Sequence, residues 1–163
     1  MGVGKHAKIV HIIDFGLSKE FRDPATHLHI SCTGDHGLVG TATFASIHSH
    51  LGLELGRRDD LESLAYILIY FIRGSLPWLG LKVDRVTRSK QNTSHHILCK
   101  GVPLPLSTLL EYSRSLPFDA KPNYDYLCDL FDSHLLQEGL TNDLSFDWDD
   151  SDGQTKVSHR RAR

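Results

Sequence analysis

Asp14, Phe15 and Gly16 are the residues of this sequence most suggestive of chemistry, and they follow a β-branched stretch at residues 8–13. A carboxylate at the end of a strand can hold Mg²⁺ against phosphate oxygens, and a glycine two residues later lets the chain turn. Such an arrangement is used in phosphoryl transfer. A turn with an exposed aspartate would carry the same three residues, so the surrounding sequence has to distinguish the two interpretations.

Histidine and cysteine offer a second chemistry, zinc binding, because the sequence has 11 histidines and 3 cysteines. The candidate ligand sets lie at residues 27–32, 48–50 and 95–99. Structural zinc sites need four nitrogen or sulfur ligands, commonly with paired Cys-x-x-Cys spacing, and the sequence contains no such pair. We interpret these residues as loop histidines without a metal. The scattered cysteines are those of a protein from a reducing compartment.

The overall composition is that of one globular domain, with 163 residues and a net charge of −2. This charge gives no electrostatic footprint for nucleic acid or anionic membrane. The N-terminus has no signal-peptide pattern, and the longest apolar run, at residues 64–72, is shorter than the roughly 20 residues that span a bilayer. We expect no nucleic-acid or membrane partner and a cytoplasmic or nuclear location.

The local patterns predict a strand at residues 8–13, an irregular segment with short helical pieces over 17–56, and then helices. The clearest helix runs from about Asp60 to Arg73, with Asp59 and Glu62 at capping-box spacing and Gly74 at its end. Its body is apolar on every face, which predicts burial on all sides.

The C-terminal half contains two further predicted helices. One is amphipathic and carries Leu106, Leu109, Leu110 and Leu116; the other begins after Asn123, has an apolar stripe and ends before Gly139. The polar residues 82–96 predict weak structure, and residues 149–163 predict a solvated charged tail. The prediction is therefore a mainly helical lobe, which could belong to a larger α+β fold.

Three segments agree with the phosphoryl-transfer interpretation of Asp14. They are Gly40-Thr41-Ala42-Thr43-Phe44-Ala45-Ser46-Ile47, Arg57-Arg58-Asp59-Asp60-Leu61-Glu62-Ser63-Leu64 and Gly74-Ser75-Leu76-Pro77-Trp78. Together with Ile12-Ile13-Asp14-Phe15-Gly16-Leu17, they resemble the casein kinase I family of Ser/Thr protein kinases. The resemblance covers about residues 2–148 in order, although His48 stands where that family has an asparagine.

The resemblance implies a partial protein kinase domain at residues 1–148, mainly α, which corresponds to the C-terminal lobe. Asp14 would be a magnesium ligand, and Ile13 and Asp14 would lie at the ATP site. Thr41 and Lys82 would belong to the substrate side, and Asp60 would anchor the catalytic loop from inside the domain. Without the resemblance, Asp60 would be a helix N-terminal carboxylate favoured by the helix dipole.

Several parts that a kinase requires precede the Asp-Phe-Gly motif in chain order and are missing from this sequence. They are the Gly-rich loop, the strand lysine with its helix glutamate, and the catalytic Asp with its Asn. Arg57-Arg58-Asp59 imitates a catalytic loop, but Leu64 stands where the Asn is required. We therefore find no catalytic base and expect this chain alone to be inactive, with ATP and Mg²⁺ binding doubtful.

The N-terminal residues 1–5 look like an internal segment of the family. We hypothesise that Met1 is an internal residue of a longer kinase; the alternative is a genuine truncated product.

The lobe departs from the family in two places. Thr43 replaces a family arginine that helps to hold an anion, with Lys82 as the retained cation, and residues 83–97 are shorter than in the family. A neutral threonine cannot replace a guanidinium, which puts selection of phosphate-primed substrates in question.

Three functions stay open at this point. The chain could be a fragment of an active Ser/Thr kinase, a catalytically dead, pseudokinase-like module that binds protein substrates or kinase partners through residues 17–58, or a non-functional remnant. We also expect exposed hydrophobic surface and weak solubility, because part of the family's cover for the apolar helix lies upstream of Met1.

Overall fold

The computed structural model describes residues 6–140, which are mainly helical. The helices are α1 (Ile47–His50), α2 (Arg57–Arg73), α3 (Val83–Asn92), α4 (His95–Leu98), α5 (Leu104–Ser115) and α6 (Tyr124–Gln137), and a 3₁₀ turn at Phe15–Leu17 precedes them. The predicted mainly helical class is confirmed. The charged tail predicted at 149–163 and the N-terminal residues 1–5 lie outside the described residues.

The chain divides into two compact units. The unit Asp14–Asp132 contains helices α1–α5, most of α6 and the whole buried hydrophobic core. Among the described residues, the other unit consists of residues 6–13 and 133–140.

The strand predicted at residues 8–13 does not form, so that prediction is wrong. Val10, Ile12 and Ile13 are 77%, 82% and 79% exposed. A β-branched stretch becomes a strand only when a neighbouring strand takes up its backbone hydrogen bonds. Within residues 6–140 strand-type pairing is limited to one isolated antiparallel bridge, between Arg22 and His29.

Helix α2 begins earlier than predicted, at Arg57, because a different pair of residues caps it. The Gly56 N–H donates to Asp59 Oδ2 at 2.8 Å, so the capping pair is Gly56 and Asp59 rather than Asp59 and Glu62. Gly56 also packs tightly, since a Cβ there would lie 2.8 Å from the Phe118 carbonyl oxygen. Gly74, with φ of 70°, ends the helix as predicted.

Helix α2 is buried on one side only, against α5. Ala65 and Ile69 are fully buried, whereas Leu64 and Phe71 are 43% and 72% exposed. The prediction of burial all round is therefore wrong for the described residues. The core consists of the following buried side chains: Leu61, Ala65, Tyr66, Ile69, Leu76, Trp78, Val86, Leu98, Leu106, Leu109, Leu110 and Leu127.

The C-terminal helices follow the sequence patterns in two places and depart from them in a third. Leu106, Leu109 and Leu110 of α5 are buried as their spacing predicts, whereas the predicted Leu116 follows the helix and is half-buried. The Asn123 side chain accepts a hydrogen bond from the Tyr126 N–H at 3.0 Å at the start of α6. The weak structure predicted at 82–96 is wrong, since α3 and α4 form there. Val86 and Lys90, four residues apart on α3, are both buried on its inner side.

Candidate functional site

An open cavity of about 550 Å³ lies in the unit Asp14–Asp132. Three segments line it, from within residues 14–21, 39–49 and 55–67. They bring together Asp14, Thr41 and Asp60, which are far apart in the sequence. The volume is in the range of small-molecule sites, about 300–1,000 Å³.

Asp14 reaches the cavity from a strained backbone position. Its φ and ψ are 64° and 69°, in the left-handed region that a non-glycine residue rarely adopts. The 3₁₀ turn that follows, Phe15–Leu17, leaves Phe15 67% exposed. The turn predicted at Asp14–Gly16 is confirmed, and Asp14 is a solvent-accessible carboxylate at the cavity edge.

Asp59 and Asp60 are neighbours at the start of α2 with opposite environments. Burial opposes ionisation of Asp59, but hydrogen bonds from His48, the Gly56 N–H and Ser46 hold its pKa below the ordinary value. Asp60 is exposed in the described residues rather than inside the domain, yet partial desolvation by the surrounding protein and then the charge of Asp59 raise its pKa. No hydrogen-bond donor within residues 6–140 meets the Asp60 carboxylate, which lines the cavity. A carboxyl with a raised pKa in a cavity is typical of functional sites.

Two buried side chains donate hydrogen bonds to the backbone of residues 41–45, which we call the Thr41 loop. The Trp78 indole N–H donates to the Thr43 carbonyl oxygen at 2.8 Å, and Lys90 Nζ donates to the carbonyls of Ala42 and Ala45 at 2.9 and 2.5 Å. Thr41 itself is exposed. The loop therefore has a fixed backbone and presents Thr41 at the cavity.

Lys82 and Ile13 do not line this cavity. Lys82 is an exposed residue at the N-cap of α3, and Ile13 is 79% exposed. Thr43 also lies outside the lining, although its neighbours Thr41 and Phe44 belong to it. Three of the predicted site residues, Asp14, Thr41 and Asp60, therefore line the same cavity.

A buried polar network beneath the cavity was missed by sequence reasoning. Glu62 is 2% exposed and accepts hydrogen bonds from the Tyr66 hydroxyl at 2.5 Å and from Arg114 Nε at 3.3 Å. Arg114 also donates to the Tyr66 hydroxyl at 2.7 Å. Burial, followed by the charge of Glu62, raises the pKa of Tyr66, so it stays a neutral phenol. The available signal was a glutamate at helical spacing from a tyrosine within an apolar helix.

His48, Asp59 and Glu62 form the cluster within residues 6–140 that could hold a metal ion, with one ligand atom of each within 4.8 Å of the others. The His48 ring already bonds Asp59 Oδ1 at 2.9 Å, and both carboxylates have further partners. The cluster therefore fastens α1 to the start of α2. The three cysteines are free.

A search against models of known protein families found no match to this chain. No helix within residues 6–140 combines the length and the apolar composition that crossing a membrane requires.

The cavity has the chemistry to hold a cation and to accept hydrogen bonds. Mg²⁺ is commonly bound through one or two carboxylates together with substrate phosphates, and the accessible Asp14 fits this use. The two basic residues of the lining are already engaged, since Lys19 pairs with Glu54 at 2.6 Å and Arg57 donates to the Asp119 carbonyl at 2.9 Å. Both basic residues therefore already have a partner, although the Nε of Arg57 has none among the described residues.

Proposed function

We propose that this chain is the C-terminal lobe of a casein kinase I-like Ser/Thr protein kinase. The reaction of such a kinase is transfer of the ATP γ-phosphate to Ser or Thr hydroxyls of proteins, with Mg²⁺. The supporting observation is the common cavity of Asp14, Thr41 and Asp60, because the resemblance implies a magnesium ligand, a substrate loop and a structural anchor at these positions.

Each of the three residues has a defined role in this proposal. Asp14 would hold Mg²⁺, which supplies charge neutralisation at the phosphates when bound. Asp60, which has no donor within residues 6–140, would accept hydrogen bonds from backbone N–H groups of a catalytic loop. Thr41 would face the protein substrate from a loop that Trp78 and Lys90 hold in place.

We expect the chain by itself to transfer no phosphate, because its sequence offers no catalytic base of the kinase type and both basic residues of the described cavity lining already have partners. Purified chain mixed with labelled ATP, Mg²⁺ and casein should give no incorporation above a protein-free blank. Incorporation that Asp14→Ala abolishes would refute this expectation.

A chimera tests the family role directly. In an active casein kinase I-family enzyme, the segment from the strand before Asp-Phe-Gly onward would be replaced by this chain. We expect Mg²⁺-dependent phosphorylation of casein that Asp14→Ala abolishes and Asp60→Asn weakens, whereas Lys121→Met, an exposed change outside the cavity, has no effect. A folded, monomeric chimera without activity would contradict the proposal.

The exposed face of α2 favours a binding module as the second candidate. Leu64, Phe71 and Ile72 are 43%, 72% and 52% exposed, and Ile67 on the same helix lines the cavity. Monomeric proteins seldom leave a continuous apolar surface without a use. A stable, monodisperse chain that is inactive in the chimera and binds a family kinase domain in pull-down with that purified domain would favour this function.

A further inference from the structure

The most unusual buried group outside the cavity is the side-chain amine of Lys90. Lys90 is fully buried, at 0% exposure, although lysine is almost never fully buried unless it is paired with an opposite charge. Its Nζ lies against the rings of Tyr66 and Trp78, 4.8 and 5.3 Å from their centroids. No carboxylate lies within salt-bridge distance of it among the described residues.

Three polar atoms contact the amine. Ala42 O is 2.9 Å away, Ala45 O is 2.5 Å away, and His50 Nε2 is 3.2 Å away. His50 Nε2 is also 2.9 Å from Ala42 O. Lys90 Nζ, His50 Nε2 and Ala42 O are therefore all within hydrogen-bond distance of one another.

The possible positions of the hydrogens distinguish three arrangements of Lys90 Nζ, His50 Nε2 and Ala42 O. If Lys90 is an ammonium and His50 Nε2 carries hydrogen, two donors face each other. If Lys90 is an ammonium and Nε2 is bare, the Nε2 lone pair faces the Ala42 oxygen. If Lys90 is a neutral amine, it donates to both carbonyls and accepts from the His50 Nε2–H, which also donates to Ala42. With a bare Nε2 the ammonium donates to all three neighbours but leaves the Nε2 lone pair against the Ala42 oxygen; the neutral arrangement avoids that repulsion, with one His50 N–H shared between Lys90 Nζ and Ala42 O.

We propose that Lys90 is an uncharged amine at pH 8 and forms a pH-sensitive latch that holds residues 42–50 against α2 and α3 until it is protonated. We call this arrangement the Lys90 latch. It belongs to the fold and does not rest on the proposed kinase function.

Burial and the charge of Arg114 favour the neutral amine, whereas Glu62 and the ring faces of Tyr66 and Trp78 favour the ammonium. The charged groups that face Lys90 are Glu62 on α2, Arg114 on α5 and His50 on α1. Glu62 is already bonded to Arg114, and their effects on Lys90 oppose each other. Burial is the largest influence and lowers the pKa of Lys90 to about 7; burial also lowers the pKa of His50, against the raising effect of its hydrogen bond to Ala42.

The sign of the pH effect follows from proton counting. Between about pH 7 and pH 10 the unfolded chain keeps the Lys90 proton and the folded chain does not. Raising the pH in this window therefore favours the folded state, by up to about tenfold in the folding equilibrium constant per pH unit. Below about pH 7 the protonated amine faces either the His50 N–H or, in the other tautomer, a Nε2 lone pair that lies against the Ala42 oxygen, and the latch weakens.

The first test is a ¹⁵N NMR titration of lysine side chains in the full wild-type chain. We expect one lysine to be a neutral amine at pH 8 and to titrate near pH 7, and to be missing from the spectrum of Lys90→Met. If every lysine remains an ammonium up to pH 9, the proposal is overturned. This result needs no variant to fold.

The second test uses Trp78, which bonds the latched segment, as a reporter. Trp148→Phe leaves Trp78 as the only indole. We expect its emission to shift to longer wavelength between pH 8 and pH 6, and Lys90→Met to remove the shift, whereas Lys100→Met, at an exposed lysine, keeps it. No shift in the Trp148→Phe chain, or an equal shift with Lys90→Met, would mean that Lys90 does not control the segment.

Discussion

Replacing Glu62 by Gln should be among the most costly single changes in the core. Gln keeps the shape but removes the charge that faces Arg114, and a neutral amide replaces the strong acceptor of the Tyr66 hydroxyl. Removing one partner of a buried ion pair costs about 3–5 kcal/mol. Because 24% of the Arg114 side chain is exposed, water compensates part of this loss, and we expect about 2–3 kcal/mol.

Urea unfolding followed by far-ultraviolet circular dichroism measures this cost. Arg114→Met should also destabilise, and the double variant should cost about 1–2 kcal/mol less than the sum, because the two side chains act as one unit. Glu111→Gln, an exposed change on α5, should stay within about 0.5 kcal/mol of the wild type. If the Glu62 and Arg114 costs simply add, the network does not behave as a pair and the reasoning is refuted.

Three further predictions concern the surface and the loops. Phe71→Ser, at a side chain 72% exposed, should lower binding of a hydrophobic dye and change unfolding by less than about 0.5 kcal/mol; unchanged dye emission would contradict this. Gly74→Ala should lower the free energy of unfolding by about 1 kcal/mol, because a φ of 70° disfavours alanine; open space surrounds the position, so no steric clash adds to this. An unaltered thermal midpoint would count against this prediction. A hydrogen bond from Lys19 lowers the pKa of Glu54, so this pair stabilises the fold above the ordinary pKa of 4.5 and the stabilisation is lost as the pH falls below it. Lys19→Met should therefore reduce the loss of unfolding free energy at acid pH. An identical dependence of that free energy on pH in the variant and the wild type would contradict this.

The helices were predictable where periodicity and end signals agree. Gly74 ends α2, and Asn123 starts α6, as their residue types indicate. These signals are local, so they act in the same way in any fold that keeps the helix. The start of α2 was misplaced because the Gly56 backbone N–H, rather than a side chain, completes the capping pair.

The failed predictions depend on neighbours that are distant in the sequence. A strand at residues 8–13 needs a second strand beside it, and the described residues supply none. Lys90 of α3 can be buried because Tyr66, Trp78 and two carbonyl oxygens surround its amine. These partners are distant in the sequence, and no pattern within residues 82–96 predicts them. A polar stretch can therefore form a packed helix when other elements satisfy its polar groups.

The candidate site was predictable only in part. The resemblance indicated Asp14, Thr41 and Asp60, and the structure gathers them around one cavity. The resemblance also indicated Lys82 and Ile13, which lie outside that cavity. The Glu62 network and the Lys90 latch have no signal in composition, because each is defined by which groups share a buried space.

The close packing of Gly56 has a consequence for how this protein tolerates change. Its φ and ψ of −129° and −176° are extended values that any residue can adopt, so backbone conformation does not demand glycine. The demand comes from the Phe118 carbonyl, only 2.8 Å from where a Cβ would stand. The turn at residues 117–120 therefore limits how bulky the residue before α2 can be, although it lies about sixty positions further along the chain.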